Sequence, residues 1–215
     1  VFQEKGNSEC LAPFGVTDEA DCGMEVRLSW QSRSPALADF TAEQWERMRS
    51  TYVRSLLLRG LEGYGASGSA RRNPLQLGIV GSTDTHSATP GLVEEDAWPG
   101  TVFGMGDLDR TMSRRDWNPG GLTGVWAEQN TRAAIFDALA RREVYATSGT
   151  RIRLRFEASP AGRPLGCDAV AADAADRVVM GGEFATATTR PRFRVQALFD
   201  RVPLERVEII KGGFR

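Results

Sequence analysis

The sequence contains a single histidine, His86, and three cysteines among its 215 residues. Cysteine spacings typical of zinc sites, such as Cys-x₂-Cys, are absent, so the cysteines give no sign of a zinc-binding module. Cys10 and Cys22 flank a short loop rich in turn residues, and Cys167 lies far from both. The first two could form a disulfide in an oxidising compartment or stay reduced, and the sequence leaves both states open.

The chain also lacks an excess of charge and a long apolar run. It has 27 basic and 28 acidic residues, which gives a formal net charge of −1, so electrostatics do not favour nucleic acid or an anionic membrane surface as a partner. No run approaches the roughly 18 apolar residues that a membrane helix needs, and the sequence does not open with a signal peptide. With 41% hydrophobic residues, it is typical of a globular protein with a sizeable core.

The ends of the sequence indicate a C-terminal fragment of a longer protein. The chain opens with VFQEKGNSEC, without a methionine, and stops at VEIIKGGFR, just after a strand-like pattern. A missing signal peptide then says little about the compartment. Periplasmic, secreted and cytoplasmic locations all stay open.

The most regular apolar spacing predicts a helix from about Thr41 to Arg59. Thr41 and Gln44 have the spacing of a capping box, and Gly60 is typical of a helix end. The predicted apolar stripe contains Trp45, Met48, Tyr52 and Leu56. We expect these side chains to lie in the core rather than to contact a cofactor.

A second helix is predicted from about Thr131 to Arg142. Asn130 is its expected N-cap, and Ile135 and Leu139 are expected to face the core. The pattern VYATSG after it predicts a strand. The stretch before it, residues 87–129, shows no sustained periodicity and is predicted to be mainly loop.

The pattern changes from Arg151 onward. The segments RIRLRFEA, RVVMGGEF, RFRVQALF and RVEIIKG resemble half-solvated antiparallel strands, and no helical spacing occurs. We therefore predict a boundary near Gly149. Residues 1–149 would form a mixed α/β domain, and residues 150–215 a small all-β domain resembling a sandwich.

The candidate site lies in IVGSTDTHSATPG. An apolar run predicts a short buried strand from Leu77 to Val80, and Asp84 and His86 follow it in a loop. A carboxylate and an imidazole this close together can both bind Zn²⁺, Mn²⁺ or Fe²⁺, and such sites gather at the carboxyl ends of strands. Asp-x-His is also common in ordinary polar loops, so the spacing alone does not decide.

Longer stretches favour the metal interpretation. GSTDTHSATPG, NPGGLTGVWAEQNTRAAIFDALARREVYATSGTRI and the opening VFQEKGNSEC together resemble an uncharacterised bacterial family, domain of unknown function 3604. That family is allied to the polymerase-and-histidinol-phosphatase (PHP) superfamily of metal-dependent hydrolases. The resemblance covers most of residues 1–150 and extends more loosely over residues 151–215.

The resemblance implies the C-terminal part of a distorted (β/α) barrel with two or three metal ions at its strand ends, followed by a small β domain. In PHP enzymes a Gly-Ser-Asp-x-His loop provides metal ligands. Asp84 and His86 match that loop, although this chain has one more residue, Thr83, between the serine and the aspartate. The superfamily also uses His-x-His and further histidines, which we expect before Val1 in a longer protein. This chain alone is then expected to bind metal weakly or not at all.

Other polar residues are weaker candidates. Glu4 and Glu9 lie in the opening family segment and are candidates for metal ligands or for residues that support a ligand; solvated surface charge is the alternative. Trp126 and Glu128 lie where a substrate wall is expected. The acidic cluster of Glu94, Glu95 and Asp96 could bind a metal or a basic substrate group, and Arg114 with Arg115 could contact a phosphate. For both clusters a solvated surface is the alternative.

Two functions remain open on these grounds. The first is a metal-dependent hydrolase of a phosphoester or related ester, whose nucleophile would be a metal-activated water. A His-x-His motif in the preceding sequence would favour it. The second is a non-catalytic module that binds a glycan, a protein or a cell-envelope partner. In that case Asp84 and His86 would be structural.

Overall fold

The computed structural model describes residues 1–4, 6–13, 22, 39–64, 73–86, 88–94, 98, 118–166, 176–185 and 190–212. Its helices are α1 (Ala42–Arg49), α2 (Val53–Tyr64) and α3 (Arg132–Ala140). Its strands are β1 (Phe2–Gln3), β2 (Gly6–Asn7), β3 (Leu122–Val125), β4 (Val144–Thr147), β5 (Arg153–Ser159), β6 (Val178–Val179) and β7 (Arg192–Leu198). They form three antiparallel sheets, β1–β2, β3–β4 and β6–β5–β7. The described residues thus mix helices with small sheets, and they contain no closed barrel.

The single helix predicted from about Thr41 to Arg59 is two helices, α1 and α2. The capping box is confirmed: the Thr41 N–H donates to Gln44 Oε1 (2.8 Å) and the Gln44 N–H donates to Thr41 Oγ1 (3.2 Å). After α1, the hydroxyls of Ser50 and Thr51 each donate to a backbone carbonyl three residues earlier, at 2.7 Å. Such side-chain bonds compete with helical pairing, and the helix ends there.

The prediction that Gly60 ends the helix is wrong, since α2 continues to Tyr64. Gly60 is buried inside the helix. A Cβ atom there would lie 2.8 Å from Asn73 Oδ1 and 2.9 Å from Leu75 Cβ. Glycine therefore serves close packing of α2 against residues 73–75 rather than a turn, which sequence spacing does not reveal.

The region around α3 needs two corrections. Its N-cap is Thr131, whose Oγ1 accepts from the Ala134 N–H (3.3 Å), and not Asn130. Its fully buried residue is Ala138, whereas Leu139, expected in the core, is exposed. Strand β4 is confirmed. Its partner β3 lies in the stretch that was predicted to be loop. The strand was missed because four residues that include a glycine give too short a pattern to detect.

The period-two patterns after residue 151 are confirmed for β5 and β7. These strands pair along their whole length, from Arg153 opposite Leu198 to Ser159 opposite Arg192. RVVMGGEF contributes only the two residues of β6, and RVEIIKG lies outside any strand. The described part of residues 150–215 is a single three-stranded sheet with no helix.

A buried carboxylate lies within this sheet. Glu157 is 2% exposed and forms ion pairs with Arg155 and Arg177, and with Arg194, its cross-strand partner, at 3.6 Å. Burial acts to raise the pKa of Glu157, but the hydrogen bond from Arg177 and the charges of Arg155 and Arg177 outweigh it, and the pKa is lowered. The ionised carboxylate therefore holds three guanidinium groups together.

The N-terminal segment is fastened to α2. Cys10 and Cys22 form a disulfide, which is one of the two states that the sequence left open. The first two N–H groups of α2, those of Val53 and Arg54, donate to the carbonyls of Ser8 (3.1 Å) and Glu9 (2.9 Å). The bond and these contacts hold the segment that follows β2.

Replacing Cys10 with serine should lower the free energy of unfolding by about 3 kcal/mol, because the disulfide restricts the unfolded chain. Urea denaturation of the oxidised protein measures the change. The control is Cys22→Ser, which removes the same bond and should give the same loss, with no further loss in the double variant. Equal stability of wild type and Cys10→Ser would show that the bond contributes nothing.

Candidate functional site

The candidate loop starts from a segment, residues 80–83, that is hydrogen-bonded on both edges. On one edge it runs parallel to residues 1–4, the opening residues of the chain. The Ser82 N–H donates to the Phe2 carbonyl (2.9 Å), and the Glu4 N–H donates to the Thr83 carbonyl (3.0 Å). The opening residues and residues 80–83 therefore end side by side.

On its other edge the segment contacts the start of β3. The Gly121 N–H donates to the Ser82 carbonyl (2.8 Å). The Thr123 hydroxyl donates to the Gly81 carbonyl (2.5 Å) and accepts from the Gly81 N–H (3.2 Å). Residues 80–83 are thus held between two other parts of the chain.

The buried strand expected from Leu77 to Val80 is not observed. Those residues form no strand, and the side chains of Leu77 and Val80 are 52% and 47% exposed. Regular pairing begins where the predicted strand ends, with a parallel bridge between Phe2 and Gly81. The loop that carries Asp84 still follows directly after paired backbone.

Asp84 and His86 lie on the surface just beyond residues 80–83. Asp84 has a φ of 55°, in the left-handed region that few residues other than glycine adopt and that aspartate tolerates better than most. The Thr85 N–H donates to Thr83 Oγ1 (3.4 Å), so the loop turns tightly. Strained backbone of this kind is often found at functional sites. That both side chains point into one cleft stays a prediction.

Glu4 reaches the same end of the paired segments. Its backbone N–H is bonded to Thr83, the residue before Asp84, and its carbonyl accepts from the Asn118 N–H (3.1 Å). The residue is 1% exposed, so its carboxylate is not a solvated surface charge. Burying a carboxylate is costly unless ion pairs, hydrogen bonds or a metal compensate.

Glu9 has a different environment. Its carboxylate accepts hydrogen bonds from Arg54 Nε (2.8 Å) and Nη2 (2.6 Å). This two-bond ion pair joins the N-terminal segment to α2. The structure thus separates the two glutamates of the opening segment: the backbone of Glu4 lies beside the candidate loop, and the side chain of Glu9 is paired with Arg54 of α2.

The expected substrate wall, Trp126 and Glu128, lies just after β3. The Trp126 indole N–H donates to the Leu154 carbonyl (2.8 Å), and the Arg155 guanidinium lies 5.5 Å from the centre of the ring. Trp126 therefore connects β3 to β5. Glu128 is exposed in the turn before α3.

The charged clusters are described only in part. Glu94 forms ion pairs with Arg151 and with Arg201, the latter at 3.4 Å. The other members lie outside the described residues: Glu95, Asp96, Arg114 and Arg115. Of the first cluster, the one described carboxylate is bound by arginines.

A third segment, the Asn118–Gly120 turn, lies against Thr83 at the base of the loop, and this role was not predicted. Gly120 has a φ of 87°, and its N–H donates to Asn118 Oδ1 (2.6 Å). A Cβ atom on Gly120 would lie 2.5 Å from Thr83 Cα. The Asn-Pro-Gly-Gly sequence signals a turn, but only the fold shows that this turn supports the residue before Asp84.

Replacing Gly120 with alanine should displace Thr83 and also impose an unfavourable φ, at a cost of about 1–3 kcal/mol. Thermal unfolding measures the loss. The matched control is Gly91→Ala, since Gly91 also has a positive φ but a Cβ atom there would meet nothing within 4 Å. If both variants lose the same free energy of unfolding, the cost comes from the positive φ alone and the contact with Thr83 adds nothing.

The donor atoms suit a divalent metal in kind. Asp84 and Glu4 offer carboxylate oxygens and His86 an imidazole nitrogen, the ligands that Zn²⁺, Mn²⁺ and Fe²⁺ accept. Within the described residues, however, no three His, Cys, Asp or Glu side chains lie close enough together to hold a metal ion. Glu4, Asp84 and His86 therefore do not form a metal-binding group by themselves.

A cavity of about 460 Å³ is bordered by the Asn118–Gly120 turn. Segments 148–152 and 200–202 form its other walls, together with Val93 and Glu94. The cavity thus shares the turn that supports Thr83.

A family model described as "Protein of unknown function (DUF3604)" matches residues 1–215. No curated protein is significantly similar to the chain, and no solved structure is either. None of the helices in the described ranges has the length and apolar character needed to cross a membrane.

Proposed function

The chain belongs to the DUF3604 family, and from that premise we propose that it carries part of the active site of a metal-dependent hydrolase related to the PHP superfamily. The proposed substrate is a phosphoester or a related ester. The observation that carries the proposal is the parallel pairing of the opening residues with residues 80–83, which brings Glu4 beside the loop of Asp84 and His86.

The same pairing supports a barrel-like arrangement. Two parallel strands need a long connection, which is usually helical. Along the chain, α1 and α2 come between the opening residues and residues 80–83. Ligand sites in such folds gather at the carboxyl ends of the strands. Asp84 and His86 follow that end of residues 80–83.

Each residue has a distinct role in this proposal. Asp84 and His86 would hold a divalent ion, Zn²⁺, Mn²⁺ or Fe²⁺, through an oxygen and a ring nitrogen. The buried carboxylate of Glu4, whose backbone N–H is bonded to the residue before Asp84, would support this site from outside the set of ligands. Bound there, the ion would lower the pKa of a water molecule and stabilise negative charge on the ester.

Removal of metal tests the proposal in the full natural protein. We expect hydrolysis of chromogenic phosphate monoesters or diesters to stop after chelation and to return when Zn²⁺, Mn²⁺ or Fe²⁺ is added. Elemental analysis measures the bound metal. Hydrolysis that survives complete metal removal would overturn the proposal.

Two glutamates provide a matched comparison. Glu4→Gln should weaken metal binding by about 10–100-fold, the range seen when groups that support a metal site are lost. Glu9→Gln, five residues later and paired with Arg54, should leave metal affinity unchanged. Equal metal affinities of the two variants would remove Glu4 from the proposed site.

A further inference from the structure

Two arginines from distant parts of the sequence meet at the cavity next to the Asn118–Gly120 turn. Arg151 follows β4, and Arg201 follows β7. Both form ion pairs with Glu94, Arg151 through Glu94 Oε1 and Arg201 through Oε2 at 3.4 Å. All three residues line the cavity. The cavity therefore already holds one anionic group, and that group belongs to the protein.

The arginine side chains remain accessible. They are 53% exposed in Arg151 and 76% in Arg201, against 30% in Glu94. A guanidinium group has five N–H donors in a planar fork that suits carboxylate, phosphate and sulfate oxygens. One shared carboxylate leaves both groups able to bind a further anion from the solvent side.

The frame around the arginines does not depend on Glu94. The backbone N–H of Arg151 donates to Asp200 Oδ2 (3.0 Å), which joins segment 148–152 to segment 200–202. This bond uses the Arg151 backbone and not its guanidinium. The two segments that carry the arginines would thus stay joined if Glu94 moved away.

We propose that this cavity binds an anionic group of the substrate, and that Arg151 and Arg201 exchange Glu94 for it. The role in turnover rests on the proposed function. The cavity is placed for such a role because it borders the turn that supports Thr83, at the base of the Asp84 loop. The substrate class is then an ester that carries a carboxylate, phosphate or sulfate group. Glu94 acts as an internal competitor that neutralises the arginines until substrate binds.

Anion titration of the full natural protein, stripped of metal with a chelator that is then dialysed away, tests the proposal. Inorganic phosphate, sulfate and acetate are titrated separately by calorimetry, which also shows which anion the cavity prefers. Arg151→Gln and Arg201→Gln should each weaken binding of the preferred anion by about tenfold, the loss expected for one charge-assisted hydrogen bond. Glu94→Gln should instead tighten binding by about tenfold, because the competing charge is gone.

The control is Arg206→Gln, a nearby arginine whose ion pairs are with Glu205 and Glu208; it should leave anion affinity unchanged. Unaltered or weaker binding by Glu94→Gln would overturn the proposal, as would equal losses in all three arginine variants. Because metal-free protein is used, anion binding without metal-dependent hydrolysis would refute the proposed function alone. The reverse result would refute this inference alone.

Discussion

His86→Ala in the full natural protein is expected to lose at least one bound metal ion and most hydrolytic activity. The imidazole is the nitrogen donor of the proposed site, and alanine offers no replacement ligand. Stability should change by less than about 0.5 kcal/mol, since His86 lies on the surface and buries little apolar area. Elemental analysis, ester hydrolysis and thermal unfolding of wild type and variant measure the three quantities.

A structural role for His86 makes the opposite forecast, in which the variant unfolds at a lower temperature and keeps its metal. Unchanged metal content would remove His86 from the ligand set, and with it the main support for a hydrolase. Asp84→Ala is less suitable as the primary test. A change at its strained φ of 55° alters backbone energy together with the ligand.

Glu157→Gln should lower the free energy of unfolding at neutral pH by about 3 kcal/mol, because it leaves the surrounding arginines without their shared counter-charge. Urea denaturation measures the difference. The matched control is Glu43→Gln, which breaks the exposed pair with Arg47 and should cost under about 1 kcal/mol. A loss no larger than the control's would show that the Glu157 cluster does not stabilise the sheet.

The Glu157 effect should depend on pH in a defined direction. Its pKa is lowered in the folded protein, so its contribution is complete above the carboxyl pKa of the unfolded chain and is lost as the pH falls through the folded value. Glutamine does not titrate. The stability gap between wild type and Glu157→Gln should therefore narrow below about pH 4, where carboxyl groups protonate. A gap that stays constant down to pH 2 would contradict this origin.

Local patterns in the sequence were sufficient where neighbours along the chain decide the structure. Alternation predicted β5 and β7, because each strand has one half-solvated face. The spacing of Thr41 and Gln44 predicted the start of α1. The failures involve distant partners: Gly60 packs against Asn73 and Leu75, which no helical pattern encodes.

The candidate site shows the same division. Apolar residues followed by small ones predicted a buried strand from Leu77 to Val80, which is not observed; the loop of Asp84 and His86 instead follows residues 80–83, which pair with the opening residues. The burial of Glu4 depends on residues 80–83, nearly eighty positions away, and so was not predictable from its neighbours. The contact of Trp126 with β5 likewise required the fold, because the sequence marked Trp126 only as a candidate for a substrate wall.

The pairing of residues 80–83 on both edges has a consequence for the entropy of ligand binding. Backbone bonds to the opening residues and to β3 fix the base of the Asp84 loop before any ligand arrives. Ordering a free residue costs about 1–2 kcal/mol of conformational entropy, and folding has already met that cost here. Binding then has to order only the few residues beyond Thr83, so less of the binding energy is spent on arranging the loop.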